Sequence, residues 1–150
     1  MSETATTGFD VTQSVSIAAP RERVFELLTD PEQIRLWMPV TKLEPQVGGQ
    51  MEFVSGRGEW RAFGEVTEID PPRLIAYSWD WRNQPIGVPT EVRFELEESG
   101  GETVVNLTHA GLPSAEQQQQ HAHGWEHYAK RLREAGEGRD PGPDTMGEEM

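Results

Sequence analysis

The feature that most narrows what this chain can fold into lies near its end. Residues 112–136, LPSAEQQQQHAHGWEHYAKRLREAG, are the one long stretch with helical apolar spacing, while most of residues 50–111 alternates like strands. A helix with a single apolar stripe must bury it against another layer, and here the available layer is a sheet. At about 100° per residue, with His121 at zero, Trp125 falls at about 40°, Tyr128 at about 340°, Leu132 at about 20° and Ala135 at about 320°. That group is the inward stripe. His123, at about 200°, and His127, at about 240°, face the other way. Ser114 suits the N-cap with Gln117 three positions on, and Gly136 suits the stop.

Ahead of that helix the order is distinctive. QSVSIAAP (13–20) alternates as a strand, PRERVFELLTDP places proline in a first helical turn, and TDPEQIRLWMP restarts a second short helix that Pro39 ends. Strands are then predicted over 50–55, 59–69, 73–82, 90–98 and 102–111, with turns at 56–58 and 71–72, a loop at 83–89, and SGG (99–101) as the clearest hairpin. The expected architecture is therefore α+β: a five-stranded antiparallel run, strongly curved, wrapped around the long helix, with two short helices after the first strand. Gly64 is a candidate bend. Residues 1–10 read as a flexible lead-in, 11–136 as one domain, and 137–150 as a disordered acidic tail.

Charge narrows the partners. Thirteen Lys and Arg against 26 Asp and Glu leave a formal net charge of -13, which repels phosphate backbones and anionic lipid. Nucleic acid is not an expected partner, and no apolar run reaches the roughly 20 residues of a membrane span. The start, MSETATTGFD, lacks the basic and apolar segments of a secretory signal, and the chain has no cysteine, so a cytoplasmic location is expected.

The histidines raise the question of chemistry. HGWEH (123–127) spells H-x-x-E-H, a zinc-peptidase pattern. Its two histidines lie on the solvent side of the helix, and no third acidic ligand is in prospect, so neither a metal nor another cofactor is expected. His121 does share the inward face, and alternation in VVNLTHAG turns His109 inward from its strand. An inward histidine is either a core residue bonded to a backbone carbonyl or a polar anchor in a cavity wall. Five tryptophans in so short a chain, with Tyr77, Trp79 and Trp81 on one strand face, suit a dense core or a pocket wall. An enzyme using His109 or His121 as general base, oriented by Asp80 or Glu65, is the alternative, although no catalytic motif is recognisable.

Three phrases, IAAPRERVFELLTDPEQIRLWM, GEVTEIDPPRLIAYSW and LTHAGLPSAEQQQQHAHGWEHYAKRL, together resemble the SRPBCC (START/Bet v-like) helix-grip superfamily, and within it the branch of activator of heat-shock-protein-90 ATPase homologues. The resemblance runs from about residue 12 to 136. It implies a cavity between the long helix and the sheet that takes a small hydrophobic or amphipathic molecule. Carried over by position, the wall would include Trp37, Met38, Trp60, Phe63, Trp79, Trp81, Phe94, His109, His121, Trp125 and Tyr128. Enzyme members of the superfamily, such as cyclases, dehydratases and hydrolases of aromatic or polyketide-like substrates, build unrelated sites in that cavity, so the fold does not assign a reaction. The branch also implies a chaperone contact or a homodimer as a third possibility, although its co-chaperones carry an additional N-terminal chaperone-binding domain.

Overall fold

A computed structural model of the chain describes residues 9–55, 60–82 and 84–142. The first strand, β1 (Val11–Ile17), is followed by α1 (Arg21–Thr29) and α2 (Pro31–Ile34). Asp30 caps α2, its carboxylate accepting from the Glu32 N–H (3.0 Å), and Pro31 occupies the first turn, where its missing N–H costs nothing. Then come β2 (Val40–Leu43), β3 (Gln50–Ser55), β4 (Trp60–Asp70), β5 (Leu74–Ser78), β6 (Asp80–Trp81), β7 (Glu91–Ser99), β8 (Glu102–Ala110) and α3 (Ala115–Gly136).

The fold is α+β: one curved antiparallel sheet of eight strands in the order β1-β8-β7-β5-β4-β3-β2, with β6 also paired to β4, around a long C-terminal helix. Beyond shifts of a few residues at strand ends, the sheet departs from the sequence expectation by one added strand and one divided strand. VTKL, directly after Pro39, adds β2 at the sheet edge, too short to announce itself by alternation. The expected strand 73–82 divides into β5 and β6 where β4 bends. Gly64 lies opposite that division: a Cβ there would collide with the Ser78 carbonyl, and the Ser78 hydroxyl accepts from the Glu65 N–H (2.9 Å). The expected turn at 56–58 lies outside the described residues.

The concave face packs on α3, whose Trp125, Tyr128, Leu132 and Ala135 are buried with His121. Ser114 caps α3 by accepting from the Gln117 N–H (3.2 Å). Near its end, Gly136 lies against Ile17 of β1, where a Cβ would come within 2.5 Å of the isoleucine methyl. Of the expected disordered tail, 143–150 lie outside the described residues, and 137–142 make contacts back to the helix. Arg139 pairs with Glu134 and Glu137 at 2.8 and 2.7 Å, and Arg131 donates to the carbonyls of Pro141 (3.3 Å) and Gly142 (2.9 Å). An arginine fork can bind several acceptors at once, which composition alone does not reveal. No helix among the described residues is long and apolar enough to cross a membrane.

Candidate functional site

Between one side of α3 and the strands β3, β4 and β6 lies a cavity of about 330 Å³. Its wall is aromatic: Phe53 of β3, Trp60 of β4, Trp79, Trp81 of β6, and Trp125 and Tyr128 of α3. These rings brace one another in tilted and edge-to-face contacts rather than filling the space. Trp79 is the hub, with centroids 5.3 Å from Phe53, 5.5 Å from Trp81 and 5.3 Å from Trp125. Ser55 of β3, Gln84 and Pro85 of the loop after β6, and Gln117, Gln120, His121, His123 and Gly124 of α3 also line it, and the exposed Gln120 and His123 mark where it opens to solvent. Among the described residues, no Asp, Glu, Lys or Arg lines it.

Two histidines back this wall, each with both ring nitrogens engaged. The Trp81 indole N–H donates to His121 Nε2 (2.9 Å), so the ring hydrogen sits on Nδ1 and is donated to the Gln117 carbonyl (2.8 Å). Behind it, the Trp125 indole donates to His109 Nδ1 (3.0 Å). His109 Nε2–H then donates to the Thr90 hydroxyl (2.9 Å), which donates to the Trp79 carbonyl (2.6 Å). The two imidazoles meet edge to face at 4.9 Å. Burial holds His109 well below the ordinary imidazole range, and the neighbouring His121 lowers it further. Burial also lowers His121, against the opposing effect of its bond to the Gln117 carbonyl. Both are therefore neutral at pH 7, as the hydrogen bonds require: an added proton on either would face an indole donor.

Six of the eleven residues carried over from the resemblance come together in this wall: Trp60, Trp79, Trp81, His121, Trp125 and Tyr128. Five do not. Trp37 and Met38 lie in the core beyond α2, where the Trp37 indole donates to the Leu27 carbonyl (2.6 Å). Phe94 fills the layer beneath, between Trp37 and Trp125. His109 is wholly buried and supports Trp125 rather than facing the cavity. Phe63 points to the outer face, where the Arg82 guanidinium stacks 4.3 Å from its ring centroid. Alternation explains that last case, since Ala62 and Val66 are the buried residues of β4 and Phe63 has the opposite parity.

The polar residues proposed to orient a histidine do not do so. Asp80 accepts from the backbone N–H groups of Trp81 and Ile86, both at 2.8 Å, and so pins the loop; Glu65 is exposed. His123 is exposed and His127 half-buried against Tyr128, and among the described residues no three metal-ligating side chains converge. Sequence reasoning left out Phe53, Ser55, Gln84, Pro85, Gln117, Gln120, His123 and Gly124. The signal for three was present: Gln117 and Gly124 flank the inward stripe at about 320° and 300°, and Phe53 shares the buried parity of Met51 and Ser55.

Comparison with known proteins places this geometry. A family profile described as Activator of Hsp90 ATPase homolog 1-like protein matches residues 18–137. An AHSA1-like protein from Rhizobium etli is similar at 40% identity and a TM-score of 0.71, over 91% of this chain and 87% of that one. CalU16 from Micromonospora echinospora is similar at 27% identity and a TM-score of 0.75, over 91% of this chain and 70% of that one. Among curated proteins, the Activator of 90 kDa heat shock protein ATPase homolog 1 of Mus musculus is 25% identical over 108 residues, 71% of this chain. The chain spans 30% of the length of the curated relatives it matches.

Proposed function

The chain belongs to the Activator of Hsp90 ATPase homolog 1-like family, and within it we propose that this protein binds a small hydrophobic or amphipathic molecule in the cavity beside its C-terminal helix. The observation that carries this reading is an unfilled aromatic chamber next to a tightly packed core. Interiors otherwise pack to crystal-like density, so about 330 Å³ left open and connected to solvent is a feature the fold maintains. The size, at the small end for ligand pockets, suits a molecule of one to three rings. Native mass spectrometry of protein purified without organic solvent tests it. An added mass that is displaced by excess naphthalene-sized aromatics supports the reading. A protein that carries none and whose side-chain resonances stay still when such aromatics are titrated overturns it.

One observation favours a second reading, contact with a chaperone: the curated relatives are named as activators of a heat-shock ATPase. It is tested by adding the protein to an Hsp90-type ATPase and following phosphate release, with unchanged turnover counting against it. An enzyme using a buried histidine as base is disfavoured by geometry, because each ring nitrogen of His109 and His121 already has a protein partner.

A further inference from the structure

The two buried imidazoles stand in unequal settings. Each accepts an indole N–H, His121 from Trp81 at 2.9 Å and His109 from Trp125 at 3.0 Å. His109 has no exposed surface, and its strand is paired on both sides, with β1 and β7. His121 is 7% exposed and borders the chamber, so water, and with it a proton, reaches His121 first. Their partners differ in the same sense. Trp125 is buried within the 22 residues of α3, whereas Trp81 is half-buried on β6, a two-residue strand paired to β4. The titratable groups around the His121 ring are few. From β8 comes His109, and from β6 comes Asp80, whose carboxylate already accepts from the N–H groups of Trp81 and Ile86. α3 itself adds Tyr128 and the exposed Glu116 and His123, and Asp10, just before β1, is turned to the Gly111 N–H. None of these is bonded to the ring, whose nitrogens go to Trp81 and the Gln117 carbonyl.

We propose that His121 is an acid-operated latch on the chamber wall: when its ring takes up a proton, the Trp81 indole is released from Nε2 and tilts away from α3, while the His109–Trp125 pair stays closed. The latch stands on bond geometry whether or not the chamber is occupied. A neutral imidazole accepts at one nitrogen and donates at the other, but an imidazolium donates at both. Nδ1–H keeps the Gln117 carbonyl, a bond that favours the charged ring, while Nε2–H comes to face the indole N–H, donor against donor. One of the two must leave. Trp81 sits on the shorter and less buried element, and its other holds are ring contacts with Phe53, Trp60 and Trp79, which tolerate a tilt. Water entering by the mouth then accepts from Nε2–H. A second proton, on His109, is opposed by its burial and by the first charge 4.9 Å away, so the change is confined to one ring. The consequence for binding rests on the ligand-cavity reading above. An apolar occupant packed against Trp81 keeps His121 neutral, so its affinity falls by up to about tenfold for each pH unit below the His121 midpoint.

NMR of the full chain, titrated downward from neutral pH with circular dichroism to confirm that the fold persists, tests the latch without a ligand. The Trp81 indole N–H resonance is expected to move with the same midpoint as the His121 ring, while the Trp125 indole and the His109 ring hold still. His121→Gln keeps an acceptor that cannot titrate and should freeze the Trp81 signal. Should that variant fold poorly, Trp81→Phe serves instead. It removes the bond that favours the neutral ring, so His121 should titrate up to about one pH unit higher, the worth of one neutral hydrogen bond. A Trp81 signal indifferent to the His121 titration, two histidines titrating together, or a His121 that takes up no proton before the fold is lost overturns the latch. Calorimetry with 2-naphthol, which is neutral throughout this range, reads the consequence on either side of that midpoint. Weaker binding on the acid side supports the coupling, and equal binding refutes it. Binding at neither pH counts against the cavity reading alone, and the resonances still decide the latch.

Discussion

Gly124 offers the sharpest test of the site, because there stability and binding are expected to move in opposite directions. It sits well inside the 22 residues of α3, with helical backbone, and it lines the cavity. A Cβ built on it meets nothing within 4 Å. Gly124→Ala should therefore gain the helix-propensity difference without steric cost, about 0.8–1 kcal/mol, or roughly 2–4 °C in Tm for a domain of this size. Gly124→Leu goes further. A helical leucine leans over the preceding turn, here Gln117, Gln120 and His121, which is the cavity mouth. Its four side-chain carbons exclude about as much ligand hydrocarbon. At ~0.8 kcal/mol per methylene this amounts to ~3 kcal/mol, so affinity for a naphthyl probe should drop at least about tenfold. Urea unfolding reads the first effect and calorimetry the second. A less stable alanine variant would mean that the helix face is misassigned. A leucine variant that binds as well as the parent would place the ligand elsewhere.

The other expectations concern the wall and its support. Both buried histidines are neutral in the folded state and titrate at about 6.5 when unfolded, so below that pH the unfolded chain binds the extra protons. Stability should then fall as pH drops from about 6.5, with a slope approaching ~1.4 kcal/mol per pH unit for each histidine until the folded state takes up its own protons. Urea midpoints at pH 7.5, 6.5 and 5.5 check this, and a flat profile would refute it. Thr90→Val should cost about 1–3 kcal/mol by stranding His109 Nε2–H, whereas Thr90→Ser keeps the hydroxyl and should recover most of it. Gly64→Ala should cost about 1–3 kcal/mol or more, because the new methyl collides with the Ser78 backbone and the β4–β5 bend must open; thermal melts decide.

The fold was legible where one residue's neighbours are set by its own element. Helical phase alone put Trp125, Tyr128 and Leu132 inward with His121, and alternation alone marked the main strands. The same parity rule, applied to β4, separates Trp60 from Phe63, which therefore cannot both face one chamber. Legibility ended where the answer depends on how two distant elements meet. Whether an inward histidine is a core residue or a wall anchor is decided by its partner. His121 finds that partner in Trp81, 40 residues away on a two-residue strand paired to β4. No spacing in the sequence encodes that meeting. It has a consequence for function, however. The wall rings are tethered from behind, Trp81 by His121 and Trp125 by His109, so the chamber cannot close by side-chain collapse without breaking hydrogen bonds inside a low-dielectric interior. Trp79, held at the hub by ring contacts and unbonded at Nε1, is the exception among them. The buried polar network thus holds the wall rings apart.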